Sequence, residues 1–474
     1  MKRNERDAPE RRRPRLRAVA LVLAFVAATV VGARHVRAEG VIPPPAQPPD
    51  LLSLDEAVRI FRARGLDLLI AEAAERSAEG AVKIAGAVAN PVVSATIGNS
   101  FTYSNTNFSR SNCLVSGAEC SPWAYSVGIS DSAALADALS GKRDLRLRVA
   151  RNALAAAKLS RVDSERVLLF QLKAAYLQVA EAAIADKFAR EVASTNVTTL
   201  RKFEDRYRAG AISEGDLERI ETQKLESDQA VDSADQGLRQ ARLALAFLLG
   251  VRGDVSDFDV DTTVLDFSVP NALRDATPVG LLRTAFDQRP DLLSLGYLRA
   301  SAEAQIQLVK RQRVPDLTLA VTAAAGGFGG LSTNAPIGPQ TVTFGVSAPL
   351  PIFYQLDGEL RQAQAQYDTS ALQHAKATAQ VVNDVGSAFA AFAASRRLVE
   401  RMEGPRRDGG GLLASAKGAL DVTAVRYEKG AASLTDYLDA LRSYIAIKLE
   451  YFGDLTSYWT AVFQLESAVA KELR

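Results

Sequence analysis

Hydrophobic and polar positions along the chain follow two different periods, and the boundaries between them mark its elements. From Ser53 to Val88 the sequence is built of Ala, Leu, Glu and Arg with apolar positions at helical spacing. Asn90-Pro91 ends that run, because a residue preceding proline is pushed out of the helical region. The period then falls to two. Val93, Ala95, Ile97, Phe101 and Tyr103 are apolar, while Ser94, Thr96, Gly98, Ser100 and Thr102 between them are small or polar. The same alternation returns as Trp123, Tyr125, Val127 and Ile129, then as Leu317, Leu319 and Val321, and finally as Val342, Phe344 and Val346. These are four strands, each with one apolar face and one face of small, hydroxylated residues.

Between and after the strands the helical period runs unusually far. From Gly141 to about Tyr207 there is no proline, and at 1.5 Å per residue such a helix is about 100 Å long. A compact soluble domain has no use for that length. A second long segment, Asp357 to Tyr427, is interrupted at Gly404-Pro405 and at Gly409-Gly410-Gly411, where a kink or local unwinding is expected. Each long helix ends at a copy of one short motif. Arg206-Tyr207-x-x-Gly210-Ala211-x-Ser213-x-x-Asp216 recurs as Arg426-Tyr427-x-x-Gly430-Ala431-x-Ser433-x-x-Asp436, about 220 residues on. Gly210 and Gly430 suit a left-handed cap at a helix C-terminus, and Ser213 and Ser433 suit the N-cap of the next helix.

The duplication extends beyond the tips. Asp67-Leu68-Leu69 corresponds to Asp291-Leu292-Leu293 and Asn90-Pro91 to Val314-Pro315, each about 224 residues apart. The chain therefore divides into a first repeat over 53–252, a side region over 253–279 rich in Asp, Thr, Val and Pro, and a second repeat over 280–474. Residues 1–38 are expected to be a signal peptide: a basic stretch (Arg11, Arg12, Arg13, Arg15, Arg17) precedes an apolar run from Ala18 to Val31, and Val36-Arg37-Ala38 offers a cleavage site. Residues 39–52, with Pro43-Pro44-Pro45 and Pro48-Pro49, read as a stiff extended spacer.

Removal of the leader changes the charge. The whole chain has 57 Lys+Arg against 55 Asp+Glu; without residues 1–38 the counts are 47 and 52, so the apparent basicity belongs to the leader. The remaining basic residues are scattered among acids along helices, which gives nucleic-acid binding no support. Cys113 and Cys120 stand away from the cleavage site, so there is no cysteine for N-terminal lipidation. Both lie in a Ser/Asn/Gly-rich loop, where export favours a local disulfide and two free, inert thiols are the alternative. Past the leader there is one histidine, His374, and one methionine, Met402. No metal site or cofactor is expected, and no constellation of side chains suggests an enzyme.

Together these parts resemble the TolC-type outer-membrane efflux family. The resemblance covers Ser53 to Leu473 and rests on Leu54-Asp55-Glu56-Ala57-Val58, the two tip motifs, Ala246-Phe247-Leu248-Leu249-Gly250 and Leu350-Pro351-Ile352-Phe353. It implies a mainly α chain with a transmembrane β part: a homotrimeric channel-tunnel in which four strands per protomer form a shared 12-strand barrel in the outer membrane of a Gram-negative-type cell. Long periplasmic helices, built from two internal repeats, would continue the barrel. The implied function is the exit duct of a tripartite efflux system, working with a periplasmic adaptor and an inner-membrane pump of the resistance-nodulation-division type. Asp357-Gly358-Glu359 and Tyr437-Leu438-Asp439-Ala440-Leu441-Arg442 look most like the branch serving heavy-metal exporters. Drug efflux, type I protein secretion and a pore-free periplasmic scaffold are the alternatives.

The resemblance also assigns residues. Asp436 and Asp439 match an acidic ring at the pore constriction, where threefold symmetry would gather six carboxylates. Asp216 and Tyr427 match positions that hold the periplasmic aperture shut. Arg206, Tyr207, Gly210, Ser213, Arg426, Gly430 and Ser433 form the turns and are expected to meet the adaptor. Helix capping alone accounts for Ser213-x-x-Asp216 and Ser433-x-x-Asp436 equally well. Where well-known members carry an arginine two residues after the second tip glycine, this chain has Ala432, which removes one expected gate salt bridge.

Overall fold

The computed structural model describes residues 42–99, 123–131, 134–255, 257–326, 341–404 and 410–473. The leader, Phe101, Tyr103, both cysteines and Pro405 lie outside the described residues. Residues Pro45–Arg474 form one compact unit.

One succession of elements occurs twice. A helix pair, α1 (Leu54–Arg64) and α2 (Leu66–Gly86), leads into strands β2 (Val92–Asn99) and β3 (Trp123–Ser130), a short helix α3 (Ala134–Ser140), the long helix α4 (Lys142–Arg208) and its returning partner α5 (Glu214–Leu249). Later, α6 (Pro278–Gln288) and α7 (Pro290–Gln312) lead into β5 (Thr318–Gly326) and β6 (Thr341–Ser347), then α8 (Asp357–Glu403), α9 (Leu412–Glu428) and α10 (Leu434–Val469). Helix α4 has 67 residues, about 100 Å at the helical rise. The expected interruption of the second long segment falls between Glu403 and Leu412, where Gly404 adopts a positive φ of 76°.

The first helical run is not continuous to Val88 as its periodicity predicts. It bends at Gly65 (φ −60°, ψ 117°), where a β-carbon would come within 2.7 Å of the Phe61 ring and carbonyl. The second repeat bends in the same way at Arg289 (φ −66°, ψ 118°), ahead of Pro290. Arg289 is buried there and clamped, donating to both Asp291 oxygens at 3.0 and 2.6 Å and to Asp384 at 2.9 Å.

The sheet is antiparallel with strand order β2-β3-β5-β6. Register places Val93, Ile129, Val321 and Phe344 in one row, and Ala95, Val127, Ala323 and Val342 in the next. The intervening rows are Ser94, Gly128, Thr322, Thr343 and Thr96, Ser126, Ala324, Thr341. The apolar face is uncovered, with Val93 70% and Phe344 79% exposed. The other face is crowded. A β-carbon at Gly128 would lie 2.9 Å from Ser94 Oγ and 3.0 Å from Thr322 Oγ1, so only glycine fits between the hydroxyls of its neighbouring strands. The outer edges of β2 and β6 have no partner strand among the described residues.

The main core lies around the middle of the helices, where Tyr176, Tyr458, Phe61, Phe463 and Leu172 are fully buried. A small parallel pair, β1 (Leu51–Leu52) with β4 (Asp259–Val260), packs there. The Tyr176 hydroxyl donates to the Leu52 carbonyl at 2.8 Å and accepts from the Asp261 amide at 3.1 Å. Leu51 and Leu52 thus belong to this side region, although the proline spacing alone assigns them to the extended spacer. Among the described residues of 253–277 the regular structure is the two residues of β4, a 3₁₀ turn at Thr262–Leu265 and one helical turn at Asn271–Arg274, with Phe258, Val264, Leu265 and Leu273 turned into the core.

Candidate functional site: the paired helix tips

The two copies of the duplicated motif form closely similar turns. Helix α4 ends with the Gly210 amide bonded to the Tyr207 carbonyl at 2.9 Å and the Ala211 amide to the Arg206 carbonyl at 2.9 Å. The matching bonds after α9 run from Gly430 to Tyr427 at 3.0 Å and from Ala431 to Arg426 at 2.8 Å. These are Schellman caps, with φ +69° at Gly210 and +71° at Gly430. A β-carbon at either glycine would meet open space, so it is the backbone conformation that calls for glycine there.

Each next helix starts on a serine. Ser213 Oγ accepts from the Asp216 amide at 3.2 Å and donates to the Asp216 carboxylate at 2.8 Å. Ser433 repeats both contacts with Asp436, at 3.1 and 2.8 Å, and its own amide also donates to that carboxylate at 3.0 Å, which completes a capping box. The Ser433 hydroxyl and amide, with Arg426 nearby, hold the Asp436 carboxyl below the usual carboxylate range. Asp439, one helical turn further, is exposed and makes no ion pair among the described residues.

Between the tips lies a small apolar cluster of Phe203, Ile220, Leu434 and Leu438. Against it stand three rings in sequence: Phe203 and Tyr427 lie 5.8 Å apart and nearly parallel (2°), and Tyr427 and Tyr437 lie 5.9 Å apart at 22°. The Arg206 guanidinium sits 5.8 Å from the centre of the Tyr427 ring. Burial raises the Tyr427 hydroxyl above its ordinary value, with Arg206 opposing and Asp216 reinforcing the shift. Two arginines cross between the tips. Arg219 on α5 reaches Thr435 Oγ1 at 3.5 Å, and Arg442 on α10 reaches Gln223 at 3.2 Å and Glu226 at 3.3 Å.

The structure therefore gathers Arg206, Gly210, Ser213, Asp216, Tyr427, Gly430 and Ser433 around one polar depression between the tips. Tyr207, Arg426, Asp436 and Asp439 are exposed outside it. Residues 281–471 match the family model described as outer membrane efflux protein. The chain is 25% identical over 401 residues to the pyoverdine export outer membrane protein OpmQ of Pseudomonas aeruginosa, covering 83% of this chain and 80% of that protein. It is 20% identical over 426 residues to the cobalt-zinc-cadmium resistance protein CzcC of Cupriavidus metallidurans, covering 89% and 90%. The crystal structure of CusC, solved to show conformational changes accompanying folding and transmembrane channel formation, superposes with a TM-score of 0.69 over 88% of this chain and 91% of that one, at 17% identity. The family match thus covers the second repeat, and the fold of the chain is the one seen in CusC.

The motif residues are only part of the tip. Phe203, Tyr437, Arg219, Thr435 and Arg442 hold the tips together and escape the motif. Arg219 and Arg442 lie outside the repeated motif, and their cross-tip partners are distant in sequence. Phe203 carried a usable signal, since it stands four residues before Tyr207, where a large apolar side chain shares a helical face with the start of the motif. Among the described residues there is no group of three or more His, Cys, Asp or Glu arranged to hold a metal ion.

Proposed function

We infer that the protein is the outer-membrane exit duct of a tripartite efflux system, opened at its periplasmic helix tips. The observation that carries this reading is the four-stranded sheet: one face apolar and uncovered, the other small and hydroxylated, both edges unpaired among the described residues, with a helix about 100 Å long leading away from it. In lipid, open edges are untenable and only a closed barrel satisfies every backbone group. Three copies supply twelve strands, and twelve tilted strands enclose an aqueous lumen lined by Ser94, Thr96, Ser126, Thr322 and Thr343. The signal peptide over 1–38, a Cys113–Cys120 disulfide in the outer loop, and helices in the periplasm of a Gram-negative-type cell belong to the same reading. A pore-free scaffold leaves the uncovered apolar face without purpose.

The tips then act as the gate. Tyr427 ties the two hairpins of one protomer through Phe203 and Arg206, with Asp216 beside them in the same depression, and Asp436 with Asp439 supplies an acidic ring that favours cations. Capping and gating coexist at Asp436, since its bonds to Ser433 leave the charge in place and exposed. A periplasmic adaptor contacts Tyr207 and Arg426, which remain exposed, and opens the duct by binding the open arrangement more tightly than the closed one. The inner-membrane pump, of the resistance-nodulation-division type, selects the cargo. The cobalt-zinc-cadmium resistance protein CzcC supports a heavy-metal cargo and the pyoverdine export protein OpmQ supports pyoverdine, and neither requires a metal site in this chain.

Planar-bilayer conductance of the purified protein beside the double variant Asp436→Asn, Asp439→Asn tests this. The expected result is a small cation-selective conductance whose selectivity is lost in the variant. Absence of conductance from correctly folded, membrane-inserted protein, variant included, removes the pore.

A further inference from the structure

Just below the sheet, the chain exposes a second apolar surface that the barrel does not use. After β6 the segment Leu350–Tyr354 carries Leu350, Ile352, Phe353 and Tyr354 on the outside, with Phe353 102% exposed. It is held in shape. The Ile352 amide bonds to the Leu350 carbonyl at 2.9 Å, and the Tyr354 hydroxyl donates to Glu359 at 2.6 Å and accepts from the Gly358 amide at 3.0 Å. Leu356 follows at φ +60°, a left-handed conformation rare for leucine, and starts α8. A strained, pinned strap that shows four large apolar side chains to water is a contact surface.

At the opposite edge of the sheet there is a matching ledge. Ile84, 78% exposed, stands on the last turn of α2, and Val88 follows just past its end, ahead of β2. Arg143 fixes this end by donating to the Gly86 carbonyl at 2.9 and 2.6 Å. Strand β2 begins at this end of the sheet and β6 finishes there, since Val92 pairs with Ser130 and Thr318 with Ser347. Antiparallel pairing of one copy's β6 with the next copy's β2 therefore brings strap and ledge to the same level. Pro91 on one side and Pro349 and Pro351 on the other lack the amide that would extend such a ladder, so below the strands only side chains can meet.

We propose that the Leu350–Tyr354 strap of each protomer packs on the Ile84–Val88 ledge of a second copy of this chain, sealing the seam where barrel meets helices. The proposal rests on the trimeric duct described above. Lipid is the other conceivable cover, and the surroundings argue against it. The Lys142–Asp316 ion pair, the Arg313–Asp357 pair and Glu359 share this level, and hydrocarbon excludes such groups.

The test is disulfide trapping of full-length protein in detergent and in lipid vesicles, in a background with Cys113→Ser and Cys120→Ser. The double variant Val88→Cys, Phe353→Cys is expected to shift from single-chain to two- and three-chain bands under oxidation, while each single variant remains single-chain. A second variant, Phe353→Asp, is expected to lose trimer mass with its helical circular dichroism unchanged. If trimers persist by native mass without cross-linking, and a fluorophore at position 353 is quenched by lipid-borne nitroxide, the strap faces lipid and the proposal fails while the duct stands. If wild-type protein is monomeric in vesicles, both fail.

Discussion

Tyr427 offers the sharpest handle on the proposed gate. Its ring is the middle member of the stack, with Phe203 at 5.8 Å on one side and Tyr437 at 5.9 Å on the other, and Arg206 at 5.8 Å from its centre. Each aromatic pair is worth about 0.5–1.5 kcal/mol beyond the area it buries, and an exposed cation–π contact adds about 0.5–1 kcal/mol. Of these contacts Phe203 and Arg206 come from the other hairpin, so Tyr427→Ala removes about 1–2.5 kcal/mol per protomer from the arrangement in which the tips lie together. At 1.4 kcal/mol per factor of ten, that is a shift of about fivefold to sixtyfold toward separated tips, provided these contacts are lost on opening. Single-channel recording should show a higher open probability and a larger conductance for Tyr427→Ala. Tyr427→Phe, which keeps the ring, should remain close to wild type. An Ala variant with wild-type conductance would refute the stack as a latch. A Phe variant as open as the Ala variant would move the latch to the hydroxyl and its neighbours Arg206 and Asp216.

Three further perturbations probe the frame behind the gate. Arg289→Met leaves Asp291 and Asp384 without their buried partner and should cost about 3–5 kcal/mol, read as a lower guanidinium midpoint of the helical signal at pH 7. Burial opposes ionisation of Asp291, but Arg289 outweighs it and holds the Asp291 carboxyl below its usual value. Wild type accordingly keeps that stabilisation above about pH 4 and loses it as pH falls further, so the gap to the variant should narrow in acid. The depressed Asp436 carboxyl has the same sign: hydrogen-exchange protection at the start of α10, corrected for the intrinsic rate at each pH, should be high at neutral pH and fall as acid protonates Asp436, with Ser433→Ala already poorly protected at neutrality. Tyr176→Phe removes the hydroxyl's bonds to the Leu52 carbonyl and the Asp261 amide, which still bond each other at 3.1 Å, and should cost about 0.5–1.5 kcal/mol, with increased protease cleavage in 253–279 as the local readout.

The strands, the long helix and the tip turns were legible because each depends on local physics. Alternation of Val93, Ala95 and Ile97 with Ser94, Thr96 and Gly98 fixes which face is apolar before any pairing is known. The tip motif combines two capping signals, and a glycine in the left-handed region followed by a serine N-cap leaves little freedom. What escaped was whatever depends on distant partners. The bend at Gly65 comes from the Phe61 ring folding over the glycine, and its counterpart at Arg289 from carboxylates on two helices. Neither interrupts the helical period of the sequence. Leu51 and Leu52 look like the end of a proline spacer until Asp259 and Val260 arrive beside them. At the gate, the motif marks where the chain turns, while the cross-tip arginines reflect how two hairpins far apart in sequence meet.

The two ends of the protomer differ in what they need in order to be stable. The helical middle has its own core, in which Tyr176, Leu177, Tyr458 and Leu465 are sealed from water. The sheet does not. Its apolar face cannot remain in water, its hydroxylated face has no place in lipid, and strands β2 and β6 of 8 and 7 residues each leave one edge of backbone groups unpaired. Alternate residues on each edge point outward, so about fifteen donors and acceptors would be stranded in a bilayer, at a cost on the order of 20 kcal/mol or more. No single copy can enter the membrane against that cost, and a closed ring removes it entirely. In the proposed duct, barrel formation therefore coincides with the meeting of copies. Contacts formed beside the unpaired edges, below the hydrocarbon and between side chains alone, are the ones able to form before insertion. The pinned strap at Leu350–Tyr354 and the ledge at Ile84 and Val88 occupy that position, which makes them the seam along which assembly can begin while the strands are still in water.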